Sequence, residues 1–130
     1  MKKLVAILQG SYYVATGLWP LLNMASFEAV AGPKTDDWLV TTVGVLVTVI
    51  GTVLLYAGLT AQIGGSIGLL AIASAAGLAG IDFFYAMRGV IWAIYMLDGV
   101  AEVVLIVLWL LAISRDRAPI PTRAKQPPMR

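Results

Sequence analysis

Residues 81–102 of the chain read IDFFYAMRGVIWAIYMLDGVAE. Ionisable and tyrosine side chains stand here inside segments that are otherwise apolar enough to lie in a bilayer, and these are Asp82, Tyr85, Arg88, Tyr95, Asp98 and Glu102. An ionised side chain in the hydrocarbon core of a membrane is costly, so such residues are rare there and usually mark a functional site. The stretch therefore predicts membrane-spanning segments with a polar site between them.

The composition of the whole chain also indicates a membrane protein. Of its 130 residues, 60% are hydrophobic and 12% are charged, and the mean hydropathy is +0.89. Soluble domains carry roughly 25% charged residues, so lipid is the solvent for most of this chain. Because a transmembrane helix needs about 20 residues, we expect an all-α fold, a four-helix transmembrane bundle that forms one domain over residues 1–114. The expected spans are residues 4–22, 38–59, 66–85 and 90–113.

Basic residues flank the first and the last expected span. Lys2 and Lys3 precede the first span, and residues 115–130 form a basic, proline-rich tail. Since cytoplasmic segments carry an excess of lysine and arginine, we expect both termini and this tail on the cytoplasmic side of a cell membrane that the chain crosses several times. These basic residues have no aromatic residues interleaved among them, which argues against nucleic acid as a partner.

The absence of cysteine and histidine limits the chemistry of any site. Disulfides, iron–sulfur clusters and thiolate nucleophiles are excluded, as are zinc or haem sites built on histidine and Ser–His triads. We expect no cofactor and no metal ion. A metal ion would depend on carboxylates alone, which favours hard ions such as magnesium or calcium.

Small residues recur along one face of the second span. Gly44, Gly51 and Gly58 repeat every seven residues and form what we call the glycine seam. Small residues on one face of a helix let two backbones approach closely in lipid, so we interpret the seam as a packing surface. The third span is also rich in small residues, which predicts a close hairpin between the second and third spans. Gly10 and Gly17 show the same interval of seven in the first span.

Pro20 lies near the end of the first span. A proline removes a helical hydrogen bond and disfavours helical geometry at the residue before it. We expect a kink or break at residues 18–20, followed by a short helical turn that Ser26 caps.

Asp98 and Glu102 are the candidate catalytic residues. They are four residues apart on the last span and share one face, on which Tyr95 also lies. At 1.5 Å per residue they lie about 12 and 18 Å from the non-cytoplasmic start of the span. Two carboxylates so close in a poor dielectric do not both ionise readily, so we expect at least one to be protonated at neutral pH. A neutral acid beside an ionised one is a usable general acid–base pair.

A cavity that opens away from the cytoplasm is expected around these acids. The candidate ligand-binding residues are Tyr95, Asp82, Tyr85, Arg88, Glu28 and Tyr13. Structural roles compete with this interpretation. Asp82 and Arg88 would form a boundary ion pair, and Glu28 would be a solvated interfacial residue. Asp98 and Glu102 would accept interhelical hydrogen bonds from Gln9, Tyr13 or a threonine of the second span.

Three segments of the chain resemble small, uncharacterised bacterial integral membrane proteins with four helices. They read GLWPLLNMASFEAVAGPK, DDWLVTTVG and IDFFYAMRGVIWAIYMLD, and the similarity covers roughly residues 9–105. The resemblance implies a multi-pass protein of the bacterial inner membrane and carries over no functional residues. Small multidrug transporters share the length and span number, but their membrane-embedded glutamate lies in the first helix, whereas Glu28 here follows Pro20.

Three functions remain open from the residues. The first is binding of a small lipophilic molecule, with isomerisation, hydration or dehydration as the expected chemistry, because these reactions need proton transfer and no redox cofactor. The second is a proton- or cation-coupled transporter, which requires a homo-oligomer through Gly44, Gly51 and Gly58 because four helices enclose little space. The third is a structural or accessory membrane subunit whose acids pair with a cation of the partner.

Overall fold

The computed structural model describes residues 1–117, so residues 118–130 of the expected basic tail lie outside the described part. The described chain folds into five α-helices and no strand, which confirms the all-α class. The helices are α1 (Lys2–Leu22), α2 (Met24–Ala31), α3 (Asp37–Leu59), α4 (Gly65–Met87) and α5 (Ile94–Asp116).

Three of these helices, α3, α4 and α5, have 23 residues each and are long and apolar enough to cross a membrane. Helix α1 has 21 residues, but Gln9, Tyr12 and Tyr13 dilute its apolar run, and it is not among the three. Helix α5 begins at Ile94, later than the expected residue 90, because Gly89 takes a left-handed φ of 71° and the connection extends to residue 93.

Helices α1 and α3 pack in antiparallel contact along their backbones. A Cβ atom added to Gly10 would lie 2.5 Å from the backbone N of Leu55, and one added to Gly17 would lie 2.8 Å from the carbonyl O of Gly44. A Cβ atom on Gly51 would in turn lie 2.8 Å from the N of Val14. The glycine seam of α3 therefore fits the glycines of α1, and close backbone approach of this kind drives helix association in lipid.

The predicted close hairpin between α3 and α4 is wrong. Helix α4 packs mainly against α5 and contacts α3 little, because α1 already covers the glycine seam. Gly77 and Gly80 of α4 face open space, with no atom within 4 Å of an added Cβ. The homo-oligomer through Gly44, Gly51 and Gly58 stays a prediction, and it now competes with α1 for the same face.

The pairing of α4 with α5 completes the bundle. Alanines line the buried face of α4. The ring of Phe83 of α4 packs directly against Gly99 of α5, where a Cβ atom added to the glycine would lie 2.9 Å from the Cζ of Phe83. The four long helices alternate in direction, so the start of α1 lies beside the end of α5. There the Nζ atom of Lys2 lies 3.1 Å from Oδ2 of Asp116.

The short helix α2 covers the opposite end of the bundle. The chain breaks at Asn23 (φ −153°, ψ 87°), three residues after Pro20, which stays inside α1. The side chain of Asn23 accepts a hydrogen bond of 3.0 Å from the N–H of Ser26, so Asn23 is the cap and the expectation for Ser26 is wrong. Asn23 fits this role because its side chain can accept from the first turn of a helix.

Candidate functional site

Buried polar side chains of α1 and α5 meet in the middle of the bundle. Gln9 is completely buried; its Nε2 donates to the carbonyl O of Ala71 at 3.0 Å, and its Oε1 accepts from Trp109 Nε1 at 2.7 Å. One amide thereby joins α1, α4 and α5 with both of its ends satisfied, as buried polar groups require. We call these three residues the Gln9 clamp.

The two acids of α5 each accept a hydrogen bond from a tyrosine hydroxyl of α1. Tyr13 donates to Glu102 Oε2 at 2.7 Å, and the two side chains are 0% and 1% exposed. Tyr12 donates to Asp98 Oδ1. Both acids therefore point inward, and the expected interhelical hydrogen bond of Glu102 is formed with Tyr13.

A third carboxylate, that of Asp82, comes from α4. Asp82 is 5% exposed, and its Oδ2 atom is buried without a hydrogen-bond partner among the described residues. The expected ion pair with Arg88 is not formed, because a separation of six residues places the two side chains on different faces of α4. The guanidinium of Arg88 instead lies 4.3 Å from the centre of the Phe84 ring.

A cavity of about 260 Å³ lies between α1, α3, α4 and α5. Its polar part is formed by Tyr13, Thr16, Tyr95, Asp82, Asp98 and Glu102. Its apolar part is formed by Pro20, Phe27, Val40, Val43, Val47, Leu78 and Ile81. Helices α3 and α4 contact each other little, and the cavity-lining residues Val43 on α3 and Ile81 on α4 are 51% and 55% exposed. The cavity therefore lies directly behind the gap between α3 and α4.

A second cavity of about 320 Å³ adjoins the first on the side of α2. The two share Thr16, Phe27, Tyr95 and Asp98. The second cavity is otherwise mostly apolar, with Trp19, Val30, Ile94 and Leu97 among its lining residues. Asp98 therefore lies at the junction of the two cavities.

The structure does not bring all the predicted ligand-binding residues together. Tyr95, Asp82 and Tyr13 line the first cavity, as do both candidate catalytic acids. Tyr85 and Arg88 are exposed and line neither of these cavities. Glu28 lies half-buried on α2 and also lines neither.

Sequence reasoning missed a cation beside the site. The Nζ atom of Lys34 lies 4.9 Å from the centre of the Tyr95 ring and donates to the carbonyl O of Ala31 at 3.1 Å. Burial lowers the pKa of Lys34, and the charge of Glu28 acts in the opposite direction. A signal was present, because Lys34 is the only basic residue between Lys3 and Arg88.

The carboxylates of the described residues are not arranged as a metal site. Within residues 1–117, no group of three or more aspartate, glutamate, cysteine or histidine side chains is arranged to hold a metal ion. No protein-family model, no curated protein and no solved structure matches the chain. A functional interpretation therefore rests on the geometry of the site.

Proposed function

We propose that α1 is a fourth transmembrane helix, so that the protein crosses a bacterial inner membrane four times with both termini in the cytoplasm. Helix α1 supports this because its polar residues Gln9, Tyr12 and Tyr13 form hydrogen bonds with partners inside the bundle. Its apolar residues Leu4 and Leu8 are exposed and suit acyl chains. The four alternating long helices also place Lys2 and Lys3 of α1 and Arg115 and Arg117 of the α5 end at one end of the bundle, and an excess of basic residues is typical of the cytoplasmic side.

We propose that this bundle binds a small lipophilic molecule in the first cavity. The observation that carries the proposal is a concave, mainly apolar space with three convergent carboxylates at one part of its wall. Small-molecule sites have this character, with apolar walls and a few polar groups that fix orientation. The gap between α3 and α4 gives such a molecule a route from the bilayer.

The same site has the parts for acid–base chemistry. Tyr13 with Glu102 and Tyr12 with Asp98 are hydroxyl–carboxylate pairs in which a proton is already positioned between two oxygens. Asp98 and Glu102 are our candidates for proton donor and acceptor, and the reaction class would be isomerisation, hydration or dehydration. A bound molecule in the first cavity has Asp98, Glu102 and Tyr95 along one wall.

A tryptophan substitution in the cavity tests the binding function. The protein, purified into lipid nanodiscs, is analysed by mass spectrometry for molecules that co-purify with it. Val43→Trp places an indole at a residue that lines the cavity, whereas Leu46→Trp places one at an exposed position of α3 that does not line it. We expect a molecule to co-purify with the parent and with Leu46→Trp and to be lost from Val43→Trp. Equal loading of all three proteins would refute the proposal.

A coupled transporter is the second candidate function. A third cavity of about 320 Å³, lined by Lys2, Gly68, Trp109 and Asp116 among others, opens at the opposite end of the bundle. The Gln9 clamp and the Tyr13–Glu102 pair separate it from the first cavity. Spaces at both ends of a closed layer are what alternating access needs. Proteoliposomes that show no flux dependent on a pH gradient would rule this candidate out.

A further inference from the structure

Of the residues that the structure describes, acidic ones line the first cavity and no basic one does. Three carboxyl groups line it, and the two tyrosine hydroxyls described above donate hydrogen bonds to Asp98 and Glu102. Asp82 receives no hydrogen bond on Oδ2. Among residues 1–117, no lysine or arginine lies within ion-pair distance of any of the three. The cavity is therefore an acidic site with one acceptor left open.

The open acceptor is deeply buried. Asp82 is 5% exposed and lines the cavity, so its side chain forms part of the wall that a bound molecule would contact. A buried polar group without a hydrogen bond costs free energy, and a buried charge without a partner costs more. A ligand that brings both a donor and a positive charge removes both costs, whereas a neutral donor removes only the first.

The surroundings favour an organic cation over a metal ion. The carboxylates are not arranged as metal ligands in the described part of the chain. Aromatic rings of Phe27 and Tyr95 line the same space, and ring faces attract ammonium groups. An ammonium carries up to three N–H donors, which suits a wall of several carboxylate oxygens.

The apolar part of the cavity determines the size and character of the ligand's uncharged tail. Valines of α3 and the side chains of Leu78 and Ile81 extend from the acids to the gap between α3 and α4. The volume of about 260 Å³ is slightly below the range of small-molecule pockets, which span roughly 300–1,000 Å³. A short hydrocarbon or aryl tail fits this space.

We propose that the ligand of the first cavity is a lipophilic amine, whose ammonium pairs with Asp82 beside Asp98 and Glu102 and whose tail lies between α3 and α4. The proposal rests on the function proposed above and names its ligand class. Lys34 is the internal rival for the acids, but its Nζ is held over Tyr95 and by Ala31. An amine reaches the site from the bilayer without displacing those contacts.

The test compares 4-phenylbutylamine with 4-phenylbutan-1-ol, which have the same carbon skeleton and differ in the charged group. Binding to the full chain in nanodiscs is measured calorimetrically, with empty nanodiscs subtracted to remove partition into lipid. We expect the amine to bind the parent protein about tenfold or more tightly than the alcohol, and Asp82→Asn to remove most of that difference. The matched control is Asp36→Asn, an exposed acid in the loop before α3, which should leave both affinities unchanged.

The outcomes separate the two proposals. Equal affinity of amine and alcohol for the parent protein would overturn the amine assignment and leave the binding function standing. Absence of binding by either compound would overturn the amine assignment, and the co-purification experiment then decides the binding function independently. If Asp82→Asn does not fold, Val43→Trp and Leu46→Trp replace it. Amine binding that persists in Val43→Trp would overturn the proposal, because the site would then lie elsewhere.

Discussion

The hydroxyl of Tyr13 and the Oε2 atom of Glu102 lie 2.7 Å apart in a hydrogen bond between two side chains that are almost completely buried. The bond joins α1 to α5, the first and last long helices, in the middle of the bundle. A carboxylate at this depth depends on its donor, since no water replaces a lost partner without entering the core.

Tyr13→Phe should destabilise the protein by about 1–2 kcal/mol, because it removes the donor and leaves the Glu102 carboxyl buried without a partner. The free energy of unfolding is measured by titration with a denaturing detergent. Tyr56→Phe removes a hydroxyl from an exposed position of α3 and is the matched control. Equal stability of the two variants would contradict the assigned role of Tyr13.

Gly51→Ala should separate α1 from α3. The added Cβ would lie 2.7 Å from the Cβ of Tyr13 and 2.8 Å from the N of Val14, and backbone cannot yield as a flexible side chain does. We expect a loss of about 1–3 kcal/mol. Gly77→Ala adds the same methyl group to α4 where nothing lies within 4 Å, so it should be neutral or slightly stabilising. The same detergent titration distinguishes them, and a reversed order would refute the α1–α3 packing.

Gln9 and Trp109 should show a measurable coupling in a double-mutant cycle. The single variants Gln9→Leu and Trp109→Phe each break the 2.7 Å bond from indole to amide, and the double variant removes both partners. Hydrogen bonds between membrane helices contribute about 0.6 kcal/mol on average and up to about 1.7 kcal/mol. We expect a coupling in the upper half of that range because the pair is fully buried. Additive effects of the two substitutions would mean that the bond contributes nothing.

The proposed topology is testable because the chain has no cysteine. A cysteine is introduced either at Thr35, in the loop before α3, or at Gln62, in the turn between α3 and α4; both positions are exposed. In intact spheroplasts, a membrane-impermeant maleimide should label Thr35→Cys at once and Gln62→Cys only after the membrane is permeabilised. Labelling of both positions in intact spheroplasts would contradict the four-span topology.

The inward orientation of Asp98 and Glu102 was predictable from their spacing and the cost of charge in lipid. Tyr13 was among the expected partners for the same reason. The pairing of helices was harder, because α1, α3 and α4 all carry small residues and only the fit in three dimensions selects among them. The shared interval of seven in Gly10–Gly17 and in the glycine seam was the signal that favoured α1 with α3.

The position of Asp82 was only partly predictable. Its proximity to Arg88 in sequence suggested an ion pair at the membrane boundary, whereas helical geometry turns the two residues to different faces. Trp109 was not predicted at all, because an aromatic residue in an apolar span has no pattern that distinguishes a hydrogen-bonded indole from a lipid-facing one. Its partner, Gln9, is 100 residues away in sequence.

The tyrosines that satisfy the acids of α5 belong to the earliest helix of this sequence, so ribosomal synthesis separates the partners in time. Helices α1 and α3 can pair through their glycines while translation continues. The hydroxyls of Tyr12 and Tyr13 have no carboxylate acceptor until Asp98 and Glu102 of α5 have been synthesised. A nascent chain that stops before residue 94 keeps that pair and lacks both acids. Completion of the last helix is thus the step that closes the bundle, and an early stop codon leaves both tyrosine hydroxyls without these acceptors.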